Sequence, residues 1–342
     1  MAALLNSTDF WYLGIDDVVN AYIKHNRKDF ITYAWLQGVV LCLISPFIIF
    51  GNAFVIYAVW KDPFKNLHSW PSNLILQCMA VADLLVGVVL APMQVYWLFS
   101  QAVTQTSALS FHIIMSLAAI FVGTSLAHIF LLSIDRLFAV MRPLSYKFVM
   151  SRGRISLAIS VLWLYFICFG ILMSCLQNSI FIVTIIFNVQ MFVILQITFC
   201  FYGLFVYRLR RNYREWHERI TRGSVRVTHQ EQFADAERRL GKSMAFVISF
   251  SFFFITPFMA VFFLLYFCIE CYSYSRMFLV FTGVEITLLY LYSVGKPLVY
   301  CWRFPKFKEI AKHYFNKYCC CRIAAEKTYR RTETIDTVIS AV

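Results

Sequence analysis

Seven stretches of this chain, at about 34–60, 71–99, 109–140, 155–175, 180–207, 243–268 and 277–302, are apolar almost without interruption. Each is near or above the roughly 20 residues that a helix needs to cross the hydrocarbon core of a bilayer. A backbone in lipid has no water to bond to, so such a segment satisfies its own N–H and C=O groups by coiling into a helix. The expected fold is an all-α membrane protein, a bundle of seven transmembrane helices. Composition agrees: 60% of residues are hydrophobic and 14% charged, against about 25% charged in a soluble domain. Stretches longer than the core is thick fit helices that tilt or run on into water. No 34- or 40-residue repeat is visible, and the linkers are short except between the fifth and sixth stretches.

Orientation follows from Lys and Arg, which concentrate on the cytoplasmic side. The loop after the first span holds Lys61 and Lys65, and that after the third holds Arg142, Lys147, Arg152 and Arg154. Ten basic residues lie between Arg208 and Lys242, and nine follow from Arg303 onward. The loops after the second and fourth spans hold none, and the loop after the sixth holds at most Arg276. The two sets alternate, as they must if the spans cross in turn, so the basic side is expected in the cytoplasm and the N-terminus outside. The formal net charge of +13 then reports topology and some attraction to anionic lipid. Nucleic acid is not an expected partner; the lipid bilayer is.

Residues 1–33 read as a polar extracellular leader without the apolar core of a cleavable signal. The first span is therefore expected to direct insertion. Asn6-Ser7-Thr8 is a glycosylation sequon, usable only outside the cell. Most of the eleven Cys lie inside apolar spans, which argues against an extracellular disulfide framework. The exceptions are Cys175, the disulfide candidates Cys268 and Cys271, and the run Cys319-Cys320-Cys321.

Polar residues inside the spans narrow the function, because charged groups at membrane depth are rare, face the protein interior and find partners. The stretch from Ser125 to Tyr146 is a long apolar helix ending in Asp135-Arg136-Leu137, then Arg142-Pro143-Leu144. The other spans each carry a mark of their own: Gly51-Asn52, then Leu74 with Ala82-Asp83-Leu84, then Trp163, then Tyr202 ahead of Arg208. Phe254-Ile255-Thr256-Pro257 marks the sixth and Lys296-Pro297-Leu298-Val299-Tyr300 the seventh. In order and spacing this series resembles the rhodopsin-like G-protein-coupled receptors over about residues 34–316. Leu137 stands where that family usually has the Tyr of its Asp-Arg-Tyr motif.

Pro257 and Pro297 each remove a backbone donor and kink their helices. Such a kink either lets a half-helix swing or simply shapes the bundle. Glu237 lies 20 residues before Pro257, about 30 Å along a continuous helix, at the basic-side foot of the sixth span. The resemblance implies an Arg136–Glu237 bridge that holds the third and sixth spans together at rest and opens on activation; otherwise Glu237 is one solvated charge among many. Asp83 and Lys296 form the second polar constellation, with Asn52 beside it. In the family, the Asp of span two and an Asn before the Pro of span seven line a pocket that can hold sodium. Here Lys296 replaces that Asn, and Gly123 stands where a Ser ligand is frequent. The two residues differ by roughly 8–10 Å in depth at 1.5 Å per residue, within reach of a Lys stem. Lys296 is thus expected as a built-in counter-ion to Asp83, the alternative being that it snorkels to the cytoplasmic surface.

Departures from the family also carry information. The outer end of span three, near Phe111, lacks the usual Cys, span five lacks its Pro near Ile194, and Ile255 replaces the common Trp. These absences and the short loop after Cys175 resemble the melanocortin, lysophospholipid and cannabinoid receptor group. The Cys268-Ile269-Glu270-Cys271 spacing is similar to the third outer loop of adenosine receptors. Ala118 stands where amine receptors place an Asp, which implies a non-aminergic ligand: a peptide, a lipid or another small molecule. Tyr290 stands where visual opsins carry their retinal-binding Lys, so retinal and any other cofactor are not expected. Gln94, His112, Ser116, Glu285 and Tyr290 are the polar pocket candidates, with Trp97 and Phe262 as apolar walls. Glu285 is either an anchor for a cationic group or a rim carboxylate. His128 reads as a satisfied core residue.

After the bundle at 34–302, residues 303–318 are basic and aromatic and suit an amphipathic eighth helix on the membrane surface. The cytoplasmic tail, 319–342, opens with Cys319, Cys320 and Cys321, candidates for palmitoylation. Its Thr and Ser residues are candidate phosphorylation sites for a receptor kinase and arrestin. The resemblance implies a plasma-membrane receptor that binds an extracellular ligand and activates a heterotrimeric G protein, without catalysis. A secondary transporter using Asp83 and Lys296 is the competing class; it predicts internal repeats. No His-rich metal cluster or nucleophile–base pair suggests a metal site or an enzyme.

Overall fold

The computed structural model describes residues 15–61, 71–105, 109–176, 180–221, 248–260 and 275–303, with Phe246, Phe263, Glu309, Ile310 and Lys312 as single positions beyond them. Among the described residues every regular element is helical. In chain order these are α1 (Ile15–His25), α2 (Arg27–Trp60), α3 (Pro71–Leu85), α4 (Ala91–Thr104), α5 (Phe111–Met141), α6 (Pro143–Val149), α7 (Arg152–Cys175) and α8 (Ile180–Thr221). They are followed by α9 (Ile248–Ala260) and α10 (Ser275–Arg303). Among the described residues six apolar helices are of membrane length, Arg27–Trp60, Ser72–Thr104, Phe111–Met141, Arg152–Cys175, Ile182–Glu215 and Arg276–Tyr300, while α9 is a shorter apolar helix. This is a multi-pass membrane protein.

The bundle is inside-out relative to a soluble protein. On α2, Leu36, Leu43, Phe47 and Phe50 face outward, while Gln37 and Asn52 are buried. Lipid tails are as apolar as Leu, so close packing and internal polar contacts hold such helices together. The central helix is α5, which packs on α3, α7 and α8; α2 packs on α3, α4 and α10. Gly51 permits the α2–α10 approach, because a Cβ there would stand 3.2 Å from the Pro297 ring.

Three features were not expected from the sequence. The second span is one rod, Ser72–Thr104, broken in the middle by a π-helical turn at Val86–Leu90. A π turn loosens the local ladder, and Ser45 Oγ donates to Gly87 O at 2.9 Å there. The fifth span, expected to end near residue 207, continues as helix to Thr221. At 1.5 Å per residue its 42 residues reach about 63 Å, roughly twice the hydrocarbon thickness. Its basic end therefore stands in water, where Arg211 and Glu215 pair at 2.8 Å one turn apart.

The leader is the third. It is helical from Ile15 and joins the first span at Arg27, earlier than the expected boundary at 33. Tyr22, Ile23 and Phe30 are buried, and the Tyr22 ring lies 4.8 Å from that of Phe278 on α10. Arg27 donates to Gln101 O at 2.5 Å and Ala102 O at 2.6 Å. Those carbonyls lie at the end of α4, where a helix has no acceptor-satisfying turn of its own and a cation is favoured. The apolar pairs Val18/Tyr22 and Val19/Ile23, each four apart, carried the signal of an amphipathic turn.

Candidate functional site

Three polar constellations lie along the bundle. The first is at the basic end of α5. Neighbouring residues on a helix diverge and do not face each other, so Asp135 and Arg136 need outside help to meet. Arg136 folds back until its Nε is 2.8 Å from Asp135 Oδ2. Ser72, at the start of α3, donates to the same Oδ2 at 2.8 Å and accepts from Arg136 Nη2. From α6, the Tyr146 hydroxyl donates to Asp135 Oδ1 at 2.8 Å, and Arg136 Nη2 approaches that hydroxyl at 3.3 Å. Burial, and then the Asp135 carboxylate, push the Tyr146 phenol above its ordinary pKa, so it keeps the proton it donates. The pair is enclosed, with side chains 3% and 0% exposed. On its other flank Arg136 adjoins a small cavity it shares with Tyr202 of α8 and Ile248 of α9. Glu237 lies outside the described residues.

The second constellation is at mid-depth. Lys296 Nζ lies 2.7 Å from Asp83 Oδ1, the two side chains 0% and 1% exposed, and donates to Ser125 Oγ at 2.6 Å. Ser125 and Ser293 each donate to Asp83 Oδ1, at 3.1 and 3.0 Å. Asn52 Nδ2 reaches Ile48 O and Ser293 O at 2.9 and 3.3 Å. The ammonium also sits 3.9 Å from the centre of the Tyr292 ring, and the Tyr292 hydroxyl contacts Ser251 of α9 at 3.3 Å. Lys296 therefore points inward. Its stem is fully enclosed, and no part of it snorkels to a surface. Pro297 is buried one residue on, whereas Pro257 lies exposed on α9. Tyr300 is buried with its hydroxyl 3.5 Å from Met79 Sδ.

The third group lies towards the leader side. Tyr290 donates to Gln94 at 2.8 Å, tying α10 to α4. Trp97 packs on Phe111 and Phe30, with ring centres at 5.0 and 6.1 Å. Ser116 spends its hydroxyl on His112 O at 2.9 Å, so it is committed to its own helix. His112 and Glu285 are buried, Ala118 half-buried. A cavity of about 420 Å³ opens between α1 and the leader-side ends of α4 and α5, bounded by Lys24, Arg27, Gln101, Trp97, Ser110 and Phe111. His128 bonds Thr124 O through Nδ1 at 2.6 Å. Cys175 is a free thiol. Phe262, Cys268, Cys271, Asn6, Cys319, Cys320 and Cys321 lie outside the described residues, as does most of 303–318, of which Ile310 is buried.

The family described as 7 transmembrane receptor (rhodopsin family) matches residues 51–300, which includes the Asp135–Arg136 and Asp83–Lys296 pairs. The chain belongs to that receptor family. It is 31% identical over 40% of its length to the 5-hydroxytryptamine receptor 2B of Dichotomyctere fluviatilis, of which the match covers 28%. It is 29% identical over 40% of its length to the probable G-protein coupled receptor 21 of Mus musculus, covering 38% of that protein. A third relative is the alpha-2B adrenergic receptor of Elephas maximus, 32% identical over 36% of this chain and 31% of the relative. The matches thus span roughly a third of these relatives.

Within this receptor family the polar core departs from the expected sodium pocket. With Lys296 present the site does not fit a sodium ion, because its ammonium already stands within bonding distance of the oxygen donors Asp83 and Ser125. Sequence reasoning named Asp83, Lys296 and Asn52 but missed Ser125 and Ser293, and it named Asp135 and Arg136 but missed Ser72 and Tyr146. Serines in apolar helices carry a faint signal, since a hydroxyl can always bond its own helix. Only the packing tells which of them turns towards a charge.

Proposed function

We propose that this receptor resides in the plasma membrane with its leader outside, binds an extracellular ligand and activates a heterotrimeric G protein. The observation that carries this is the Arg136 cluster: a buried guanidinium held by three groups from α3, α5 and α6, beside a cavity that reaches α8 and α9, in a chain of this family. Release of Arg136 would open that flank to a G-protein segment. Glu237 is the proposed partner that restrains the sixth span at rest, and the movement draws on Pro257, Pro297, Tyr202 and Tyr300. A ligand acts by preferring the open state, with a coupling of about 1–3 kcal/mol.

Some relatives are named for 5-hydroxytryptamine or adrenergic ligands. Ala118 gives this chain no carboxylate where the family's amine receptors carry one, so the proposed ligand is non-aminergic. The leader-side cavity, with Lys24 and Arg27 at its wall, suits an acidic group on a peptide, lipid or small molecule. A glycan on Asn6, palmitoyl chains on Cys319 to Cys321, a membrane-surface helix over 303–318 and recruitment of a receptor kinase and arrestin belong to the same proposal.

The test is ligand-free signalling in cells carrying a panel of Gα reporters. Wild type is expected to signal above empty cells, Arg136→Ala to abolish the signal and Glu237→Ala to raise it. Equal signals from all three at equal surface expression would remove the switch assignment.

A further inference from the structure

We infer that the mid-depth polar site is a monovalent-cation site whose cation is the chain's own Lys296, so that the receptor's core is independent of ions in the medium. The inference concerns stability of the folded bundle and does not depend on signalling.

The ligand set is that of a small hard cation. Asp83 supplies a carboxylate oxygen and Ser125 a hydroxyl oxygen, at 2.7 and 2.6 Å from Lys296 Nζ. Hard cations take oxygen ligands, and this set carries one negative charge. Asp83 keeps further acceptor capacity, because its Oδ2 is buried without a hydrogen-bond partner among the described residues. An ammonium has three donors, and here they are directed at a carboxylate on α3 and a hydroxyl on α5. The Tyr292 ring covers its remaining side at 3.9 Å, a cation–π contact strengthened by desolvation. Through the Tyr292 hydroxyl and Ser251 the site also touches α9. One covalently tethered charge thus links four helices that a free ion would link only when bound.

The tether has a thermodynamic consequence. A bound ion stabilises the folded state according to its concentration, whereas the effective concentration of a side chain on its own helix does not vary with the medium. The wild type is therefore blind to sodium at this site. Removing the ammonium leaves a buried carboxylate with a space beside it, which is strongly unfavourable unless a counter-charge enters.

Thermal unfolding of the full-length protein, purified in lipid nanodiscs, tests this in sodium chloride against choline chloride at equal ionic strength. The wild-type midpoint is expected to be the same in both. Lys296→Ala is expected to melt lower in choline and to recover by a few degrees in sodium along a saturable curve. Ser125→Ala added to Lys296→Ala should abolish that recovery, because it deletes a ligand oxygen. If Lys296→Ala does not fold, Lys296→Asn replaces it, with a small polar side chain and no charge, and the same sodium-specific recovery is expected. A sodium-dependent midpoint in the wild type would overturn the proposal. So would a folded Lys296 variant that melts identically in the two salts, or one whose recovery survives Ser125→Ala.

Discussion

Asp135–Arg136 and Asp83–Lys296 are both enclosed carboxylate–cation pairs, and they are built in opposite ways. The first joins neighbours on one helix, gathered by Ser72 and Tyr146 at the mouth of the bundle. The second joins residues on α3 and α10 at mid-depth, with Ser125 of α5 between them. Arg136 and Asp135 share one helix, so their bond can break by a side-chain rotation without separating helices. Lys296 has nowhere to go. Breaking its pair requires either separating helices or leaving two charges buried, so the same chemistry serves as a latch in one place and a pin in the other.

The largest expected effect lies at the pin. Lys296→Met leaves Asp83 buried and unpaired, at a cost of about 3–5 kcal/mol. The double variant Asp83→Asn/Lys296→Met should regain most of that loss in thermal unfolding and surface expression. A double variant as unstable as the single would show that the pair is not what holds α3 to α10. At the latch the readout changes from stability to activity. Asp135→Asn removes the charge that restrains Arg136, and basal nucleotide exchange on Gα should rise, by up to about tenfold if the shift is near 1.4 kcal/mol. Stability should move far less than for Lys296→Met, and the reverse ranking would contradict the comparison.

Smaller changes sharpen it. Ser125→Ala deletes a buried hydroxyl that bonds both members of the pin, a loss of about 1–3 kcal/mol, visible as a lower unfolding midpoint with unchanged basal activity. Tyr146→Phe removes one hydrogen bond to Asp135, worth about 0.5–1.5 kcal/mol. It should raise basal exchange in the direction of Asp135→Asn but by less, and an effect equal to or larger than that of Asp135→Asn would shift the role of latch from the carboxylate to α6.

Much of this was legible in the chain. Asp83 and Lys296 stand out because an ionisable group in an apolar span is too costly to be incidental, and their depths along two helices placed them within a Lys stem of each other. The α1 packing, the π turn at Val86–Leu90 and the run of α8 to Thr221 were not seen. The first depends on a four-residue spacing inside a charged stretch, the second on a one-residue local insertion. The third is a helix whose outer turns are polar and so carry no hydropathy signal. The pocket candidates fared differently. Gln94 and Tyr290 meet and Ser116 bonds its own helix, while a described cavity that the sequence did not point to lies where Lys24 and Arg27 flank Trp97.

What the sequence determined by itself is the solvent and the family. Hydropathy over 20-residue windows sets which segments lie in lipid, and the ordered polar marks set which bundle they build, because both are properties of residues taken along the chain. What only the tertiary structure decided is which polar atoms face one another. Whether Lys296 runs to the surface or turns inward depends on helix rotation and on the close α2–α10 approach at Gly51. Whether Asp135 is bonded by one partner or by three depends on where α3 begins and α6 docks. Those choices are made by packing between segments far apart in sequence, where a difference of a few ångströms separates a hydrogen bond from none.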